Sequence, residues 1–417
     1  MTAGMSQTRK RPMPLGSRGR VFGTMVLAGA LSAGFTGTAS ADVDAQSKQW
    51  YLAPMHAEEM WKTTTGKGIK VAVIDTGVNP EAPSLKGQVL KGFDATGASG
   101  DEFDDYAGHG TTMAELIAGT GDGGGLKGLA PDAKIIPFRV AGADWETKES
   151  LNSLDTADAI RSAADSDAKI ISMSFGNDFK LDQEIEAVKY AESKGKLFFA
   201  AVGNEGSKGN KPTYPAAYPE VVGVAATDPQ GKASEYSQHG DFVDIAAPGD
   251  GIPTWCDSKF QGYCESEGGT SQATAITSAA AALIWSAHPD WTANQVLNVL
   301  FDTAGRGDWE KGTLSNYLGH GIIRPAVNIL KDKGTPGAPD ISPLTKEKTS
   351  GSTASPAASA SASSQPEKEE TAEDAAMAGS STEKNDDSQL GLIFSGVAVV
   401  LVLGVGGFLI ARKRRTA

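Results

Sequence analysis

The chain has 417 residues, 40% of them hydrophobic, which is enough for a sizeable core and for more than one domain. Its formal net charge is −13, and its two cysteines, Cys256 and Cys264, stand in no zinc-like or CxxC spacing. These facts argue against a general nucleic-acid binder, a zinc module and a CxxC redox protein.

The first element is a basic stretch, Arg9, Lys10, Arg11, Arg18 and Arg20, followed by an apolar run from Val21 to Phe35 and by Ala39-Ser40-Ala41. Basic, apolar and small-x-small regions in that order make 1–41 a secretory signal peptide, cleaved after Ala41. An N-terminal membrane anchor is the alternative; Gly23, Gly29 and Gly34 interrupt the run and weigh against it. The next segment, 42–65, is shorter than the ~40 residues an unstapled domain needs. It is therefore expected to pack as an extension on the domain that follows.

Residues 66–335 form that domain. Short β-rich runs at Lys70–Ile74, Lys134–Phe138, Lys169–Ser174, Lys196–Val202 and Val221–Ala225 read as buried strands. Leu154–Ser166, Leu181–Ser193 and Ser271–Ala287 read as helices, and Thr292-Ala293-Asn294-Gln295 is a capping box opening one more. This alternation predicts an α/β fold of three layers with a mostly parallel central sheet. Asp75 then falls at the C-terminal end of a strand, where sites gather in such sheets. His109 and Ser271 fall at helix starts. The acidic group Asp101, Glu102, Asp104 and Asp105 reads as a solvated loop. Calcium or a basic substrate is its alternative use, but no EF-hand spacing appears and no metal is expected.

Ile252–Cys256 and Phe260–Cys264 read as a hairpin that brings the two thiols face to face. Export past the membrane lets a Cys256–Cys264 disulfide persist. Closing so short a loop stabilises by roughly 2.5 kcal/mol on the chain-entropy account.

From 336 to 389 the composition shifts to Ser, Ala, Pro and Glu. Between Leu344 and Gln389 only Leu344 and Met377 are large and apolar, so the segment is expected to be a disordered stalk of roughly 40 Å mean span. Leu390 to Ile410 carries no charge and is long enough for a transmembrane helix. Arg412, Lys413, Arg414 and Arg415 follow in a basic tail, 411–417. Basic flanks stay in the cytoplasm, which places the 66–335 domain outside the cell membrane.

Three glycine-framed segments carry the chemistry: Val73-Ile74-Asp75-Thr76-Gly77, Gly108-His109-Gly110-Thr111 and Gly269-Thr270-Ser271. A serine hydroxyl becomes a nucleophile when a histidine takes its proton. The histidine needs a carboxylate to fix its tautomer and stabilise its charged form. A second Gly-His-Gly, at His320, lacks the following threonine and reads as a turn.

The order Asp, His, Ser and the framing residues resemble the subtilisin-like serine peptidases. Ala201-Val202-Gly203-Asn204 resembles that family's oxyanion segment, and Ile171-Ser172-Met173-Ser174-Phe175-Gly176 its substrate-pairing strand. Gly128-Leu129-Ala130-Pro131, Tyr214-Pro215-Ala216 and Ala247-Pro248-Gly249 also match in order. The resemblance covers roughly residues 50–330. It implies a serine endopeptidase with Asp75, His109 and Ser271 as the triad. Asn204 is then the oxyanion donor, and Ser174, Phe175 and Gly176 bind peptide or protein substrates; no cofactor is implied. The family's Ser-Met-Ala-Ser/Thr-Pro becomes Ser271-Gln272-Ala273-Thr274-Ala275 here, which changes local geometry at Gln272 and Ala275 without removing a catalytic group.

Signal peptide, peptidase domain, stalk, apolar helix and basic tail together look like the mycosins, proteases associated with type VII secretion systems. That likeness implies a membrane secretion complex as partner. The alternative function is a structural subunit that stabilises such a complex, with proteolysis dispensable. N-terminal sequencing of the exported protein is expected to begin at Asp42, with 42–65 still attached; a start near Gly66 would refute the retained extension.

Overall fold

The computed structural model describes residues 45–141 and 153–350. The expected signal peptide 1–41, the apolar run 390–410, the basic tail and the part of the expected stalk beyond 350 lie outside the described residues. Among the described residues no helix is long and apolar enough to cross a membrane.

In chain order the described elements begin with α1 (Ala57–Trp61), β1 (Lys70–Asp75), β2 (Phe93–Asp94), α2 (His109–Ala118) and β3 (Lys134–Arg139). Then come α3 (Ser153–Asp165), β4 (Ile170–Met173), α4 (Asp182–Ser193), β5 (Leu197–Ala201), β6 (Val222–Thr227) and β7 (Ile245–Pro248). A small hairpin, β8 (Thr254–Trp255) and β9 (Tyr263–Cys264), precedes α5 (Thr270–Ala287), α6 (Ala293–Thr303) and α7 (Pro325–Ile329).

Seven strands form one sheet in the order β2-β3-β1-β4-β5-β6-β7, and every pair is parallel. Side chains of a strand alternate between faces. Val71 and Val73 accordingly enter the core shared with α2 and α5, while Ala72 and Ile74 enter the core shared with α3 and α4. A parallel sheet covered on both faces needs strands that are apolar throughout, and the middle strands are buried along their whole length. This is the three-layer α/β architecture expected. Strands β2 and β7 and helices α1 and α7 were not read from the sequence; β2 has two residues and the two helices have five each.

The sheet's strands leave β1 in both directions, β3 on one side and β4 on the other. Such a switch point opens a crevice at the C-terminal ends of the strands. Asp75 closes β1 there, Ser174 follows β4, and Asn204 lies three residues beyond β5. Helix α5 is buried from Thr270 to Trp285, and the run Ala279–Ala282 is fully buried against the rest of the core.

Residues 45–65 lie on this body. Tyr51, Met60 and Ala57 are buried, and the Trp50 and Trp61 indoles donate to the carbonyls of Asp250 and Leu129. The capping box at Thr292 and Gln295 forms as read.

Two expectations need correction. Residues 336–350 do not begin a stalk: the Pro339 carbonyl accepts from Thr292 and Asn294, Thr349 accepts from Asn294, and Leu344 packs on the core. Two polar side chains at the start of α6 hold this segment, so its low apolar content misled. Cys256 and Cys264 do form a disulfide, with Cα atoms 5.0 Å apart. They are not face to face, however, because Thr254 stands opposite Cys264 and Trp255 opposite Tyr263. The cysteines sit diagonally across the hairpin.

Met60→Ala should lower unfolding stability by about 2–5 kcal/mol, since it removes a fully buried side chain. Lys48→Ala, in an exposed ion pair with Glu265, should change it by less than about 1 kcal/mol. Urea unfolding midpoints check both; equal effects would mean that the extension does not stabilise the domain.

Candidate active site

The described crevice is a cleft of about 610 Å³ lined by Asp75, His109, Asn204 and Ser271, with Phe175, Gly176 and Trp255 on its walls. Asp75 is 1% exposed, and its Oδ1 meets His109 Nδ1 at 2.7 Å. The same oxygen accepts from Thr76 N at 2.8 Å. The two glycine-framed segments meet closely: a Cβ on Gly110 would lie 2.1 Å from the Gly77 carbonyl oxygen and 3.0 Å from the Asp75 Cβ. Only glycine permits this approach of loop to loop.

Asp105 organises the start of α2. Its Oδ1 accepts from Thr76 Oγ1, Ala107 N and Gly108 N, and its Oδ2 accepts from Thr111 N and Oγ1. Thr76 Oγ1 in turn accepts from Gly110 N at 3.0 Å. The first amides of a helix have no partner inside it, and here a carboxylate satisfies them and complements the helix dipole. The acidic loop is therefore not simply solvated. Asp105 and Glu102 are buried, the latter accepting from Gly92 N, while Asp101 and Asp104 stay at the surface. The loop is also pinned by the buried Arg139, which binds both oxygens of Asp94 and the Ser99 carbonyl.

Burial alone would push the His109 pKa down. The charge of Asp75, its hydrogen bond and the charge of Asp105 outweigh this and hold the imidazole above the ordinary histidine value. The side chain is 22% exposed, so it reaches the cleft.

Ser271 stands in the first turn of α5. Its Oγ donates to the Ser174 carbonyl at 2.6 Å, and Ser174 Oγ donates to the Ser271 carbonyl at 3.2 Å. Ser174, Phe175 and Gly176 all line the cleft, and Ser174 also engages Ser271 through its hydroxyl and its carbonyl. Asn204 Oδ1 accepts from Thr270 N at 2.9 Å and from Thr270 Oγ1 at 3.0 Å. This fixes the amide orientation: with the oxygen committed to Thr270, the NH₂ group is turned away from it.

His320 is not part of this cleft. It stacks on Phe301 at 3.9 Å, and burial together with Arg306 and Lys346 pushes it down to about 4. The roles of Thr76 and Asp105 were not read from the sequence. The Thr-Gly and Gly-Thr steps beside Asp75 and His109 were the available signal for the first. An aspartate inside an acidic run carried none.

Residues 66–321 match the subtilase family, Peptidase S8. The major intracellular serine protease of Bacillus subtilis is 38% identical over 235 residues, 55% of this chain and 72% of that protein. Thermitase of Thermoactinomyces vulgaris is 34% identical over 283 residues, 65% of this chain and 95% of that protein. Among solved structures, MycP1 from Mycobacterium smegmatis superposes with a TM-score of 0.57 at 26% identity, covering 69% of this chain and 86% of that one. The MycP3 protease from the type VII (ESX-3) secretion system gives 0.57 at 29% identity, covering 70% and 90%. With a family match across most of the described fold, the chain belongs to the subtilase family and is a serine endopeptidase.

Proposed function

We propose that Ser271 is the nucleophile, His109 its general base and Asp75 the residue that orients and charges the histidine. The observation that carries this is the 2.7 Å contact between Asp75 Oδ1 and His109 Nδ1 in a cleft that also holds Ser271. With Nδ1 committed to Asp75, Nε2 is the nitrogen left to take the serine proton. Turning Ser271 Oγ–H from the Ser174 carbonyl toward His109 starts the reaction. Attack on the scissile carbonyl puts negative charge on its oxygen. Asn204 Nδ2 and the Ser271 backbone N–H are the donors for it. The intermediate collapses to an acyl-enzyme as His109 protonates the leaving amine, and water then releases the acid.

The substrates are proteins or peptides, laid in extended form along Phe175 and Gly176. The layout of the whole chain supports the finer reading of an anchored extracytoplasmic protease. A secretory signal, 1–41, precedes the domain, and an apolar segment, 390–410, with a basic tail follows it. Structural likeness to MycP1 and MycP3 supports association with a type VII secretion system.

Ser271→Ala should abolish hydrolysis of a chromogenic peptide while the circular dichroism and melting temperature stay near those of the wild type. Asn204→Ala should leave KM within a few-fold and lower kcat by about 10²–10³, a magnitude set by a subtilisin itself. Near-normal turnover in either variant would refute the assigned roles.

The neutral imidazole is the active base, so kcat/KM should rise with pH through the elevated His109 pKa. The limb should lie above that of an ordinary histidine. Asp75→Asn removes the first of the charges that raise it. The limb should then move to lower pH and the plateau should fall by about 10⁴. A pH–rate profile with the limb unmoved would show that Asp75 does not govern His109.

A further inference from the structure

A buried carboxylate joins the disulfide-closed hairpin to the helix that begins at His109. Glu115 is fully buried on α2, and burial pushes its carboxyl up to about 7. Ser84 Oγ donates to Oε1. Tyr263 OH lies 2.9 Å and 2.8 Å from the two oxygens. Among the described residues no lysine, arginine or histidine forms an ion pair with it. A glutamate without a cation in an apolar interior is costly unless hydrogen bonds hold it. Those bonds reach from α2 to β9.

The hairpin grips α2 at a second point. Trp255 stands opposite Tyr263 in register and stacks on it at 4.0 Å. Trp255 N donates to Thr112 Oγ1 at 3.1 Å, and Thr112 Oγ1 donates to the Gly108 carbonyl at 2.7 Å. A Cβ on Gly108 would lie 2.9 Å from the Trp255 Cβ and 3.1 Å from the Asp257 carbonyl oxygen. Gly108, His109 and Trp255 all line the cleft. Thr112 and Glu115 are three residues apart and so lie on one face of the helix. The hairpin is thus tied to α2 beside His109 and again one turn further on.

We propose that Glu115, acting through Tyr263, is a positioning residue for His109. It anchors β9, β9 holds Trp255 by stacking, and Trp255 braces the Gly108–His109 step from the cleft side. Without the outer tie the hairpin can shift on α2, and the brace at Gly108 loosens with it. The proposal rests on His109 and Ser271 being base and nucleophile.

The test uses the full chain as wild type, Glu115→Gln, Tyr263→Phe and the double variant, each with a thermal melt. Two rates are read: hydrolysis of a small chromogenic peptide and covalent labelling of Ser271 by a fluorophosphonate. Each folded single variant should lose ~10-fold in kcat and in labelling rate, with KM changed less than ~2-fold. The double variant should be no slower than the slower single, since both substitutions cut one link. Wild-type rates in the folded variants, or a double loss near ~100-fold, would overturn the proposal. If Glu115→Gln does not fold, Tyr263→Phe decides alone, because it keeps the ring and removes only the hydroxyl. Failure of the wild type itself to be labelled would instead overturn the triad reading beneath it.

Discussion

All seven strands of the central sheet run the same way, so their C-terminal ends share one edge. Everything that the cleft needs hangs from that edge. Asp75 is the last residue of β1, Ser174 is the first after β4, and Asn204 follows β5. Parallel pairing sets the spacing of neighbouring strands, and register sets how far each reaches. Groups that are distant in the chain therefore arrive together without any loop having to carry them there. Helix α5, buried for nearly all its length, begins beside that edge, where Ser271 Oγ donates to the Ser174 carbonyl.

A second constraint is electrostatic. The helix that begins at His109 starts with amides that need acceptors, and Asp105 supplies both oxygens to them. Thr76 links this carboxylate to the Asp75 segment. One network thus caps the helix, joins the Asp and His loops and places a second negative charge near the imidazole. The same contacts that stabilise the fold raise the histidine's proton affinity. Structure and basicity are two consequences of one arrangement of buried hydrogen bonds.

The periphery is wrapped rather than merely capped. Residues 45–65 insert Tyr51 and Met60 into the core that α5 shares, and residues 336–350 close over the start of α6. Trp50 in the first of these bonds the carbonyl of Asp250, whose side chain accepts from Ser234 and Tyr236. The first segment is held by its own apolar side chains and by indoles that donate to carbonyls of the body, the second by side chains at the start of α6 that donate to its backbone.

The amino-acid sequence alone determined the fold class, the order of the three glycine-framed segments proposed to be catalytic and the pairing of the two cysteines. Each rests on local pattern: continuous apolar runs for buried parallel strands, glycines wherever loops must touch, and a count of only two thiols. The tertiary structure decided what each acid does. Asp101, Glu102, Asp104 and Asp105 are one acidic run in the chain, yet two are surface groups and one knits the active helix. Glu115 looks like an ordinary helical glutamate until Tyr263 and Ser84 are found against it. Ser174 lines the cleft beside Phe175 and Gly176, and only the fold shows its carbonyl accepting from Ser271 Oγ. Burial and hydrogen-bond partners of a polar side chain are set by segments up to 219 residues away. Local periodicity carries no record of them, so only folding reveals which polar groups are structural and which are left to do chemistry.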